Sequence, residues 1–139
     1  MAEVLFYSVK TQFKLTNKRK VIKWLVLICD QESQELESLH YIFCSDAFLG
    51  ELNKKYLHHS TLTDILSFDY STSHKLVGEI YISIPRVMEN ARIYKQPFDS
   101  ELRRVLSHGL LHFMGYRDKT KTQKAQMRMK EEACLSLWK

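Results

Sequence analysis

The chain has 139 residues, 45% of them hydrophobic and 12% aromatic, enough for one compact domain, 1–139, whose core needs no disulfide staple. Only 4 Gly and 2 Pro are present, which excludes extended disorder and an all-β fold rich in tight turns. A net charge of +5 and a pI near 9.1 favour anionic partners, nucleic acid among them.

In chain order, residues 4–9 are rich in β-formers and read as a strand. A helix is expected from Asn17 to about Glu35, and a second strand over Leu39–Cys44. Ser45 and Asp46 end that strand and can cap a helix carrying Phe48, Leu49, Leu52 and Tyr56. Ile65–Asp69 and Val77–Ile84 read as strands around a polar turn at 71–75. Pro85 opens a helix at its first position, where a missing N–H costs nothing. Pro97 and Asp99 mark the start of the next helix, which runs to Met114, with Gly115 as its left-handed cap. A last helix starts near Thr120, with Ala125, Met129 and Leu135 among its apolar positions. The fold expected is α+β: a small mixed β-sheet packed with several helices, without strict βαβ alternation.

Cys29, Cys44 and Cys134 are odd in number, far apart and set in apolar stretches, so they read as small core hydrophobes in a reducing, cytoplasmic compartment. No signal-peptide pattern opens the chain, and the apolar run 21–29 is broken by Lys23 and far too short to span a bilayer, so no membrane partner is expected. The basic residues fall in two clusters: Lys18, Arg19, Lys20 and Lys23, then Lys119, Lys121, Lys124, Arg128 and Lys130. Each reads either as a solvated helix face or as a contact for a polyanion.

The informative segment is His108-Gly109-Leu110-Leu111-His112-Phe113-Met114-Gly115-Tyr116-Arg117-Asp118. Four-residue spacing puts the two histidines on one helix face, where they can chelate one divalent ion. Gly115 lets the chain reverse, and Asp118 can return toward the same ion. Two His and one carboxylate leave a coordination position open, as catalytic zinc sites do. The ordinary alternative is a pair of unremarkable helix histidines, but apolar Leu110, Leu111, Phe113 and Met114 surround them, and an apolar setting needs a reason to accept imidazoles. The spacing also suits a zinc protease, which needs a Glu after the first His as general base. Gly109 stands there and takes no proton, so peptidase chemistry is disfavoured.

From His108 through Tyr116 the chain resembles the YbeY family of bacterial endoribonucleases, or rRNA maturation factors, whose hallmark is HGxLHxxGYDH. Leu52-Asn53 followed by Thr63-Asp64-Ile65-Leu66-Ser67-Phe68 resembles that family's LN…TDVLSF block, and Gly78-Glu79-Ile80-Tyr81-Ile82-Ser83 its LGDI-IS strand. The resemblance implies a zinc-dependent, single-strand-specific endoribonuclease with one zinc ion per chain, held by the catalytic residues His108, His112 and Asp118. It implies 16S rRNA 3′-end processing and ribosome quality control, with rRNA and the small ribosomal subunit or its associated factors as partners.

Two departures bear on this. Arg117-Asp118 stands where the family has Asp-His, so the third ligand becomes a carboxylate with one more negative charge. Leu57 stands where the family has a phosphate-contacting Arg after the LN pair. His58 or His59, or Arg86 or Arg117, takes over that role, or the activity is weakened. Thr63, Asp64 and Ser67 line the substrate groove by resemblance, or else serve as turn and strand chemistry. Ser67, Asp69 and Glu79 are candidates to orient a ligand imidazole. One of Arg103 and Arg104 is expected to face the groove. Either water or the ribose 2′-hydroxyl is the attacking group. The alternative function is a non-catalytic ribosome-associated factor that binds rRNA around a structural metal.

Overall fold

The computed structural model describes residues 2–57 and 64–139. Four strands form one sheet: β1 (Glu3–Val9), β2 (Glu35–Cys44), β3 (Ile65–Asp69) and β4 (Lys75–Ser83), in the order β1-β2-β4-β3. β1 and β4 both run parallel to the central β2, and β3 lies antiparallel on the outer side of β4. Among the described residues the helices are α1 (Lys18–Gln31), α2 (Asp46–Leu57), α3 (Ile84–Ile93), α4 (Phe98–Phe113) and α5 (Lys121–Ser136). The fold is α+β with a mixed sheet.

Strand alternation separates two apolar faces. Val4, Leu39, Tyr41, Phe43, Ile80 and Ile82 turn toward α1, α3, α4 and α5 and form the main core with Trp24, Leu25, Leu106 and Leu110. Cys44 and Leu66 turn the other way, where Leu49 of α2 covers them with Phe48, Leu52 and Phe68. All three cysteines are free and buried, and burial pushes their thiols up, Cys134 to about 11. They are unreactive core residues, as their apolar settings suggested. No helix among the described residues is long and apolar enough to cross a membrane.

Several boundaries differ from the sequence reading, each for a tertiary reason. α1 ends at Gln31 rather than near Glu35, because Ser33 turns the chain with φ 55° and Glu35 already pairs with Lys75. The same pairing starts β4 at Lys75. Ser83 leaves the strand to cap α3, its Oγ accepting from the Arg86 N–H at 3.3 Å, so Ile84 precedes Pro85 in the first turn. α5 does start at a Thr120 cap, closed by a reciprocal bond from Gln123. Its inward face, however, carries Met127, Glu131 and Cys134, while Ala125 is exposed and Met129 is 70% exposed.

Two glycines set how closely α4 approaches the sheet. A Cβ on Gly109 would lie 2.8 Å from Ile80 Cδ1, so α4 rests directly on β4 there. A Cβ on Gly78 would lie 2.5 Å from the Phe113 ring and 2.7 Å from the Phe68 carbonyl oxygen. Backbone does not yield as a side-chain tip does. Gly78→Ala is therefore expected to cost about 1–3 kcal/mol through overpacking, read as a lower urea midpoint at unchanged slope.

Candidate metal centre

α4 presents Arg104, His108 and His112 at four-residue intervals, hence along one side. The helix ends in a paired reversal: the Gly115 N–H donates to the His112 carbonyl at 3.0 Å and the Tyr116 N–H to that of Leu111 at 3.1 Å. This geometry needs a left-handed residue, and Gly115 has φ 99°. Tyr116 is then anchored by donating its hydroxyl proton to Glu32 at 2.6 Å, and Lys130 joins the same carboxylate at 2.8 Å. On the far side, Gln123 Oε1 accepts from the N–H groups of Lys119 and Thr120. Asp118 is thus held between an anchored reversal and a capped helix.

That placement brings three donor atoms together. His108 Nε2 and His112 Nε2 are 3.0 Å apart, and Asp118 Oδ2 lies 3.1 Å from the first and 3.4 Å from the second. Four tetrahedral ligands at about 2.0–2.2 Å from a zinc ion stand about 3.3–3.6 Å apart. The triangle therefore matches one face of such a tetrahedron, needing only a few tenths of an ångström of relaxation. All three side chains are partly exposed, and no fourth His, Cys, Asp or Glu among the described residues joins the group, which leaves a fourth corner open.

Proton positions follow from the partners. His108 Nδ1 lies 2.5 Å from a Glu131 oxygen. An ionised carboxylate only accepts, so Nδ1 carries the proton and neutral His108 presents a lone pair at Nε2. That lone pair faces the acceptor-only Asp118 oxygen. Two acceptors this close need a cation between them, a proton or a metal. Burial opposes charging His108, but Glu131, then Asp118 and Asp64, outweigh it and raise its proton affinity.

Glu131 is the residue of this candidate site that sequence reading missed. The partner expected among Ser67, Asp69 and Glu79 is instead this carboxylate on α5; Asp69, for its part, accepts from the Ser71 N–H. The other Glu131 oxygen accepts from Arg104 at 3.1 Å, and Arg104 makes a two-pronged contact with Glu101, with its shortest bond at 2.7 Å. Glu101 and Glu131 are both buried. Burial raises the carboxyl of Glu131, yet His108 and Arg104 outweigh it and hold it below the ordinary range. The signal in sequence was a Glu in register with Met127 and Cys134 on the inward side of α5. Glu131→Gln keeps the shape but loses the charge that fixes the imidazole, and zinc affinity is expected to fall about 10–100-fold, measured by competition with a chromogenic chelator.

The remaining expected residues fall unequally. Asp64 precedes β3, its carbonyl accepting from the Ser83 N–H at 3.0 Å, and its charge is felt at His108. Arg117 is exposed beside Asp118. Ser67 sits within β3 opposite Ile80, and Arg86 is tied to Asp46 at 3.1 Å, neither of them joined to the triad by a contact among the described residues. Arg104 serves the histidine from behind, whereas Arg103 lies over Trp138. Thr63, His58 and His59 lie outside the described residues, and Leu57 closes α2.

Comparison with known proteins identifies the family. A family model described as Endoribonuclease YbeY matches residues 6–139. The chain is 42% identical to the Endoribonuclease YbeY of Flavobacterium psychrophilum, over 97% of its own length and 96% of the relative's. It is 44% identical to that of Cytophaga hutchinsonii, over 98% and 96%. The solution structure of TM1509 from Thermotoga maritima superposes with a TM-score of 0.67 at 25% identity, covering 99% of this chain and 88% of that one.

Proposed function

This chain belongs to the endoribonuclease YbeY family, and from that premise we propose that it is a zinc-dependent, single-strand-specific endoribonuclease that matures ribosomal RNA. The proposal covers one catalytic domain, 1–139, with one zinc ion per chain on His108, His112 and Asp118. Its setting is cytoplasmic, at the small ribosomal subunit, in 16S rRNA 3′-end processing and ribosome quality control. The observation that carries it is the donor triangle of 3.0, 3.1 and 3.4 Å with its open fourth corner.

A zinc ion there supplies Lewis acidity, polarising a phosphoryl oxygen and acidifying water near neutrality. The chain's own residues do the rest. His108 and His112 offer lone pairs from a rigid helix, and Asp118 adds the negative charge that favours a divalent ion. Glu131 keeps the His108 proton on Nδ1, so that Nε2 stays available. Asp64 and Arg117 border the triad, and we assign them to substrate binding with Thr63, Ser67 and Arg86. Exposed Arg117 and Lys119 suit phosphates arriving at the open corner. The missing room beside Gly109 also argues against a peptidase, because a side chain there would meet Ile80 instead of a substrate.

The test is cleavage of single-stranded and duplex rRNA fragments by zinc-loaded protein. Cutting confined to single strands, lost with a chelator and restored by zinc, is the expected result. Undiminished cleavage by metal-free protein overturns the proposal. A large chelator-induced loss of stability with no cleavage in either state would point to a non-catalytic rRNA-binding factor.

A further inference from the structure

The first basic cluster plays no part in the metal centre, yet the fold adds to it. Lys20 and Lys23 on α1 line one hollow with Lys139 and Trp138, and Arg103 of α4 borders the next hollow around the same indole. Lys20 Nζ lies 4.4 Å from the Trp138 ring centre and Arg103 Cζ 4.5 Å from it. Trp138 is held in turn by an edge contact with Trp24 at 5.7 Å. Two cations are therefore drawn to one fixed ring, where each gains only about 0.5–1 kcal/mol at an exposed site.

What is absent there, among the described residues, is an ion-paired counterion. Lys75, Arg86, Arg104 and Lys130 all have carboxylate partners. Among the described residues, no ion pair involves Lys18, Arg19, Lys20, Lys23, Arg103 or Lys139. Asp99, which shares the second hollow with Arg103, does not close on it. Lys18, Arg19 and Lys20 also fill the first turn of α1 with no acidic residue among them, against the sign that a helix dipole favours. A surface that gathers like charges at a local cost, with Asp99 as the one acidic side chain among the described residues lining its hollows and no ion pair formed, is complementary to an external polyanion.

We propose that this surface is a second RNA contact, holding the phosphate backbone of the single-stranded substrate several nucleotides from the metal centre. It rests on the reading of the chain as an RNA-cleaving enzyme. Arg103 precedes His108 by five residues, about 7.5 Å along α4 and about 140° around it, so the two sites lie on different sides of one helix. Cleavage at the triad and anchoring at Trp138 are then separate contacts along one strand. RNA is favoured over an anionic membrane because the indole at the centre of the surface is covered by cations, which leaves Leu27, 39% exposed, as the one exposed large apolar side chain among the described residues lining the two hollows.

The test compares the zinc-loaded wild type with K20Q/K23Q/R103Q, and with K75Q/R92Q/K95Q as a charge-matched control. Binding of a labelled 2′-O-methyl oligouridylate is followed by anisotropy across a salt series. Each lost phosphate contact lowers the logarithmic salt slope by about 0.7 for a single strand. The surface variant is thus expected to lose about 2 from that slope and tenfold or more in affinity at low salt, with the control near wild type. Unchanged RNA binding by the surface variant, or an equal loss in the control, overturns the proposal. So does loss of binding to phosphatidylglycerol vesicles with RNA binding intact, which would make the surface a membrane contact. Thermal melting verifies that each variant is folded, and Lys20→Gln with Lys23→Gln alone, which spares Arg103, is expected to give about two-thirds of the slope change. Cleavage of unmodified oligouridylate by the wild type tests the catalytic reading separately: its failure leaves the salt slopes to decide the surface.

Discussion

His112→Ala is expected to yield a folded protein that neither retains zinc nor cleaves RNA. The imidazole supplies one corner of the donor triangle, and among the described residues its partners there are His108 and Asp118. Removing it leaves two donors, too few to hold an ion against water. The loss should therefore exceed the 10–100-fold typical of changes outside the ligand set. Stability should hardly fall, because the side chain is partly exposed and stands apart from the core packing of Leu106, Leu110 and Leu111. Metal content by atomic emission, RNA cleavage and thermal melting distinguish the outcomes. A variant that keeps stoichiometric zinc would remove His112 from the ligand set.

Arg104→Leu should show the opposite balance, a large loss of stability. Its guanidinium binds Glu101 through two nitrogens and Glu131 through the third, and both carboxylates are buried. Breaking a buried ion pair by removing one partner typically costs about 3–5 kcal/mol, since the other charge is stranded. Here two carboxylates lose their shared cation, but Arg104 is partly exposed and water reaches it. About 3 kcal/mol is the expected cost, or roughly 6–12 °C in melting temperature for a domain of this size. Urea titration at neutral pH measures it. In acid the difference from wild type should shrink, because protonated carboxyls no longer need the cation. Glu131 is held below its ordinary range when folded, so the stability it contributes is present above its unfolded pKa and lost as pH falls through the folded one. A variant as stable as wild type would show that the network contributes nothing to folding.

Much of the candidate site was legible locally. The spacing of His108 and His112 sets their common side through helix periodicity alone. Gly115 announced the reversal, because a left-handed cap requires a residue without Cβ strain, and its φ of 99° is what that cap needs. β3 was read with its observed bounds, Ile65–Asp69, because polar turn residues flank it on one side. The second family departure, Leu57, ends α2.

The opposite holds for groups paired across the chain. Glu131 meets His108 across 23 residues and Arg104 across 27, separations that no period links. The inward side of α5 was misjudged for the same reason: a carboxylate occupies a core position there because a buried cation and an imidazole neutralise it. Gly109 was read for what it lacks, a proton-accepting side chain; the structure adds that a Cβ there would lie 2.8 Å from Ile80 Cδ1. The sequence by itself determined the helix, its turn and the three candidate donors, since these depend on spacing along one backbone. Only the tertiary structure decided that the donors meet at 3.0–3.4 Å, which proton His108 keeps, and which cations stay unpaired. Those properties arise from charges brought together by packing, where desolvation makes every partner matter.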